Sequence, residues 1–375
     1  MHEPISSPPK ARRGPVALLI ALIIILTGTV VVSKINTNEY ALTPGDATPV
    51  APLITIKGVA SETHRGTIML TDVYLTSLDV WQWLYFHLKS HVQFINGDEL
   101  VDPGVPTAEL GAQGYQEMSD AKQAAEVAAF RALGWKIPAT ATGAVVTAVE
   151  SDSPAQRAKI HVASEIVAVN GATVTSACSL ISAMHAVPAG ATVSLSVRPS
   201  RISPSGTISY APLTTVKVTT AKPPTGMASS GCPGVHGVGT SYLGVALEDG
   251  NAYTLPASVR INTANIGGPS AGLAMTLTLI DKLSRRSISG NQPIAATGTI
   301  DVNGNVGDVG GVAEKTVAVQ DAGAKYFFVP QVEVKTAKSE AKPGLTIIGV
   351  TTLAQALRDL RALGGAVPQP LTPPR

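Results

Sequence analysis

Charge is scarce in this chain. Charged residues make up 14% of its 375 positions and the formal net charge is +2. That is too little to neutralise a run of phosphates, and no basic stripe interleaved with aromatics occurs, so no nucleic-acid partner is expected. Cysteine is scarcer still. Cys178 and Cys232 are the only two, which excludes a cysteine metal site and a CxxC redox motif. Two unpaired thiols are the expectation, with an extracytoplasmic disulfide as the alternative. There is no HExxH and no carboxylate cluster, so metal catalysis has no support. Nor is there a GxxxxGK[ST] phosphate loop. The glycines between Gly304 and Gly311 lack the strand–GxGxxG–helix order and read as turns. No cofactor and no nucleotide are therefore called for.

What is plentiful is glycine and proline, 35 and 27 residues, which fits a globular chain with many turns. The length suffices for two or three domains with sizeable cores. Near the N-terminus, Pro15 to Ser33 carries no charge. As a helix this run spans about 28 Å, close to the hydrocarbon thickness of a bilayer. Lys10, Arg12 and Arg13 precede it and predict a cytoplasmic N-terminus. The run is long for a signal peptide and lacks a small-residue cleavage site, so a retained single-pass anchor is expected.

After this run, Leu53 to Val59 and Gly66 to Leu75 are rich in Ile, Thr and Val and predict strands. Trp81, Trp83, Tyr85 and Phe86 cluster just beyond; core packing is their expected fate, membrane contact the alternative. Ser119 to Leu133 predicts a helix capped by Ser119 and stopped by Gly134. Strands are expected at 143–149, 165–169 and 192–198. A short helix follows Ser153-Pro154-Ala155, another spans 176–185, and Asn170-Gly171 makes a turn. A further strand-like run, 213–218, sits in a Pro- and Ser-rich join between domains.

Chemistry concentrates at Gly267-Gly268-Pro269-Ser270-Ala271-Gly272, which precedes the apolar run 273–280. The glycines allow an unusual backbone path and close approach of a substrate, and Pro269 suits a helix entry. Ser270 then sits where free N–H groups and the helix dipole favour a developing negative charge. Gly267, Gly268, Pro269 and Ala271 shape that oxyanion-binding turn. A serine needs a base. Lys315 serves if burial and a helix N-terminus keep it neutral, and it falls early in a predicted helix over 312–322. Glu314 points elsewhere on that helix. A histidine triad is the competitor, with His185 or His236 and Asp249 or Asp301, but no spacing favours it.

Two resemblances rest on these residues. Ser153-Pro154-Ala155 before a strand closed by Asn170-Gly171 resembles a PDZ domain of the bacterial protease-associated kind, which accepts extended peptide ends by strand addition. The glycine–aspartate turn usual before its second strand is Ser164-Glu165 here, and its carboxylate-binding loop has no clear counterpart. GGPSAG, then Thr297-Gly298-Thr299-Ile300-Asp301, Gly304-Asn305-Val306-Gly307, Gly310-Gly311-Val312-Ala313-Glu314-Lys315, Ala322-Gly323-Ala324 and Val329-Pro330, resembles the Lon peptidase proteolytic domain. The whole layout resembles the membrane-anchored, PDZ-containing Lon-like proteases of Gram-positive bacteria. Where many Lon enzymes carry a lysine or acid before Gly-Pro-Ser, this chain has Gly267.

The resemblance implies an α+β fold, Ser270 as nucleophile, Lys315 as general base and assembly into a ring. The expected division is a cytoplasmic N-terminus (1–14), a transmembrane helix (15–34), an extracytoplasmic α/β region (35–135), a PDZ-like domain (136–220), a Lon-like proteolytic domain (221–363) and a disordered Pro-rich tail (364–375). The expected activity is that of an ATP-independent serine endopeptidase with protein or peptide substrates, at the outer face of the cell membrane. The alternative is a membrane-tethered PDZ adaptor whose Lon-like domain is silent.

Overall fold

The computed structural model describes residues 13–100, 109–203 and 207–373. In chain order the main elements are α1 (Arg13–Val32), β1 (Asn36–Pro49), β2 (Ile54–Lys57), β3 (Thr67–Asp79), α2 (Val80–Phe86), β4 (Gln93–Asn96) and α3 (Leu110–Ala132). Then come β5 (Ala139–Val149), β6 (Glu165–Val169), α4 (Ala177–His185), β7 (Thr192–Arg198) and β8 (Thr214–Thr219). The last third holds β9 (Val245–Tyr253), β10 (Ser258–Ile261), α5 (Gly272–Leu283), β11 (Pro293–Ala296), α6 (Val312–Asp321), β12 (Tyr326–Pro330), α7 (Val334–Glu340), β13 (Thr346–Val350) and α8 (Leu353–Ala362). The architecture is mixed α+β, as expected.

One six-stranded sheet has the order β13-β12-β11-β3-β1-β4. Its β11, β12 and β13 run parallel, connected through α6 and α7, because parallel neighbours need a crossover. β3 lies parallel to β11 and antiparallel to β1. The region 35–135 is therefore not a separate unit, contrary to the expected division. Its long strands are central members of the sheet that carries residues 293–350, and β2 pairs with β10 of the later segment. Neither half can satisfy its backbone hydrogen bonds alone.

Every residue of α5 is buried. Its Thr276 and Thr278 hydroxyls donate to carbonyls one turn back, while Asp281 accepts from the Ser287 hydroxyl and the Ile288 N–H. The helix lies between the sheet and α3, whose Ala121, Ala125, Ala128 and Ala129 are buried in the same core. Small side chains on that stripe let two helices approach closely. α3 starts at Leu110, well before the expected Ser119, and has no side-chain cap.

The second sheet has the order β8-β7-β6-β5-β9 and its own core around Ile166, Leu180 and Leu195. Ser153 accepts the Gln156 N–H and Pro154 takes the first helical position, which explains the Ser-Pro-Ala start. Two strands fall outside the expected limits of this unit. The run 213–218 pairs with β7 rather than lying in a join, and β9 pairs with β5 from beyond residue 220. The second sheet is thus inserted between the two halves of the first body.

Three further expectations are corrected. Cys178 and Cys232 form a disulfide, with Cα atoms 5.4 Å apart. It ties α4 to the loop before β9 across 54 residues, a closure worth about 4 kcal/mol on the loop-entropy model. Gly364 to Pro373 is not a loose tail, because Arg285 N donates to Gln369 O, Ala366 N to Ser287 O and Leu371 N to Leu283 O. The aromatic cluster is not core: Trp81, Trp83 and Tyr85 are exposed. Among the described residues no helix is long and apolar enough to cross a membrane. Lys10, Arg12 and the side chains of 13–17, Ala21 and Ile25 lie outside that description.

The shared sheet yields a prediction. A fragment 221–363 lacks β1 and β3 and will not give a cooperative thermal transition by circular dichroism, whereas a fragment 35–375 will. Cooperative unfolding of 221–363 would contradict the topology.

Candidate active site

Ser270 sits in a turn, and α5 begins two residues later at Gly272. Pro269 is therefore not the first helical residue. It opens the turn instead, with its carbonyl accepting the Gly272 N–H at 3.1 Å. The Ser270 carbonyl takes the Gly298 N–H at 2.9 Å and the Thr297 hydroxyl at 3.3 Å. This pins the serine's main chain to the end of β11. The Gly298 carbonyl accepts in turn from Leu273 N at 3.0 Å.

The two glycines before Pro269 have distinct reasons. Gly268 has φ +84°, a left-handed conformation that suits glycine. Its N–H donates to Gly114 O on α3 at 2.7 Å. A Cβ on Gly267 would lie 3.2 Å from the Gly114 carbonyl carbon. The close approach of α3 thus leaves little room for the lysine or acid that the resemblance would place at 267. The amides of Ser270 and Ala271 have no backbone acceptor among the described residues. They remain free for an anionic oxygen, whereas the Gly268 amide is already used.

Lys315 lies in the first turns of α6, whose N-cap Gly311 has φ +68°. A Cβ there would meet Leu42 Cδ2 at 2.8 Å and Val73 Cγ1 at 3.0 Å. Only glycine lets the turn settle onto β1 and β3. That packing leaves Lys315 just 3% exposed. Burial pulls its pKa down to about 8, while the nearby Asp72, Glu333 and Glu314 carboxylates pull the other way. At pH 7 roughly a tenth of such an amine is neutral, against less than about a thousandth for lysine in water. Glu314 is buried and its own pKa is raised, chiefly by burial and also by Glu340. Its influence on Lys315 is the weakest of the three carboxylates, in line with the expectation that it points elsewhere.

Ser270 and Lys315 face common space. Both line a cavity of about 270 Å³ with Thr71, Asp72, Val73, Tyr74, Asn265 and Ile266. Both also line an adjoining cleft of about 770 Å³ whose walls include Leu42, Leu75, Ile95, Leu110, Tyr115 and Val309. The Thr71 hydroxyl is buried without a hydrogen-bond partner among the described residues. Asp72 accepts the Asp46 N–H at 2.6 Å, and burial raises its pKa. Thr71, Asp72 and Val73 escape a reading of the sequence, because nothing local ties β3 to the serine turn. The competing triad is not assembled. The His185 ring contacts His236 O at 3.1 Å, Asp249 accepts from Ala177 N and Asp301 accepts from Asn305. None of these lines either cavity beside Ser270.

Comparison with known proteins shows what the segments around this geometry resemble. Residues 262–362 match the Lon protease (S16) C-terminal proteolytic domain, and residues 117–199 match the PDZ domain. The chain combines a Lon-type proteolytic domain with a PDZ domain. A Lon protease of Rickettsia felis is 34% identical over 94 residues, covering 24% of this chain and 12% of that protein. One from Flavobacterium johnsoniae is 31% identical over 118 residues, covering 31% and 14%. The chain thus spans less than a sixth of the length of these curated relatives. A solved PDZ domain of an SdrC-like protein from Listeria monocytogenes is similar at 18% identity, covering 28% of this chain and 87% of that one, with a TM-score of 0.21. So low a score carries no argument. The matched Lon-type segment begins after β10, so β1 and β3, which floor the site, lie outside it.

In the PDZ domain, α4 and β9 border a groove of about 180 Å³ lined by Leu180, Met184, Leu243, Val245 and Leu247. β9 is the edge of the sheet. The turn before it, Tyr242-Leu243-Gly244, has Gly244 at φ +75°. The glycine turn that borders the groove thus enters from beyond residue 220, outside the expected limits of the domain.

The pH dependence comes from the charges. Neutral Lys315 increases as pH rises through about 8, so acylation of Ser270 by a fluorophosphonate should rise along that limb. Asp72 favours the ammonium, so Asp72→Asn should move the limb to lower pH. A limb that stays in place, or moves up, would remove Asp72 from the electrostatics of the site.

Proposed function

We propose that this protein is a membrane-anchored, ATP-independent serine endopeptidase that cleaves unfolded or exposed segments of cell-envelope or secreted proteins. The observation that carries this reading is the shared cavity of Ser270 and the buried, pKa-depressed Lys315. In this mechanism neutral Lys315 takes the Ser270 hydroxyl proton as Oγ attacks the peptide carbonyl. The oxyanion is held by the free amides of Ser270 and Ala271, each well-placed donor being worth roughly 3–4 kcal/mol. The C–N bond then breaks, and the Lys315 ammonium returns its proton to the leaving amine. Water, deprotonated by Lys315, releases the acyl group.

An apolar-walled cleft, in a sequence without a GxxxxGK[ST] loop, suits chains that are already extended. Residues 15–34 are proposed as the anchor because 15–33 carry no charge. The Cys178–Cys232 bond supports an oxidising compartment for the body of the protein. The PDZ groove is proposed to receive peptide ends by strand addition to β9. A ring of such domains is a proposal that rests on the Lon-type resemblance.

The test uses a fragment 35–375 with an unfolded protein substrate such as casein and no nucleotide. Cleavage is expected, with Ser270→Ala and Lys315→Met each reducing it by about a thousandfold or more. Folded protein that neither labels nor cleaves would favour the silent adaptor.

A further inference from the structure

α2 is a helix without a core. Asp79 and Gln82 form a capping box that fixes its start, yet none of its residues is buried. Trp81, Trp83, Leu84 and Tyr85 are exposed, and Leu88 just beyond is 82% exposed. A row of large apolar side chains this dense marks a contact surface. Its position indicates the partner. The Trp81 indole N–H donates to Thr29 O in the last turns of α1 at 3.2 Å, so the patch stands level with the C-terminal end of the apolar helix. The Trp83 indole donates to Glu39 at 2.7 Å. The Lys89 ammonium lies 4.9 Å from the centre of the Tyr85 ring. Bonded polar atoms, bare rings and a flanking cation are what the headgroup layer of a bilayer favours.

We propose that α2 and Leu88 seat in the lipid headgroup layer beside the point where α1 emerges, giving the catalytic body a second contact with the membrane. This rests on the reading of 15–34 as a membrane anchor. β3 runs from the Ser270 cavity at Tyr74 straight into α2, and the five-residue step from Tyr74 to Asp79 spans roughly 17 Å. The seat therefore fixes the height of the active site above the bilayer.

The full chain, reconstituted in phosphatidylcholine vesicles with and without phosphatidylcholine brominated at acyl carbons near the headgroup, supplies the test. Of its 3 tryptophans, Trp135 is buried in the core and acts as an internal reference. Brominated lipid is expected to lower the emission about twofold through Trp81 and Trp83, and to leave the Trp81→Phe/Trp83→Phe double variant unchanged. Unquenched emission from a chain that resists alkaline carbonate extraction would overturn the seat and leave the anchor standing, as when a second copy covers the patch. A chain stripped by carbonate would overturn the anchor, and the seat with it.

Discussion

The site depends on keeping one amine out of water. Lys315 can act on Ser270 only as a free base, and the turn at Gly311 makes that possible by letting α6 press onto β1 and β3. The same contact that dehydrates the lysine joins two chain segments far apart in sequence. In the proposed mechanism, fold stability and catalytic competence therefore share one interface. Asp72 opposes the effect from that same floor, so the proton affinity of the lysine is a balance between burial and a fixed charge.

The PDZ domain sits within this arrangement rather than beside it. It interrupts the chain between the strands that floor the site and the segment that carries Ser270 and Lys315. α3 leads into it from one side and β9 leads out on the other. α3 also touches both bodies: Gly114 O receives the Gly268 amide at the serine turn, and Gln116 donates to Glu248 on β9 at 3.3 Å. A short path of main-chain and side-chain bonds thus connects the PDZ edge strand to the Ser270 turn.

Much of this is legible in the sequence. The Gly-Gly-Pro-Ser turn, the apolar run of α5 and Lys315 on a following helix each carry a local signal, and only the helix entry is shifted, from Pro269 to Gly272. The Ser-Pro-Ala cap and the strands around it are also readable. What is not readable is pairing between distant segments. Thr71 and Asp72 look like any alternating strand residues until β3 is seen beside β11. β9 falls in the wrong body on sequence grounds because an edge strand carries no label naming its partner. Two cysteines 54 residues apart give no local sign of bonding either. The aromatics of α2 go the other way: their composition suggests core, yet they stand exposed beside the end of α1.

The central claim is that Lys315 is held as a readily neutralised amine. Titrating the 15N-labelled lysine amines by NMR in the Ser270→Ala variant tests it directly, with the Lys315→Met/Ser270→Ala variant assigning the signal. One lysine resonance absent from that double variant should titrate near pH 8. If the Lys315 signal instead titrates with the exposed lysines above about pH 10, the amine is solvated and the proposed dyad chemistry is contradicted.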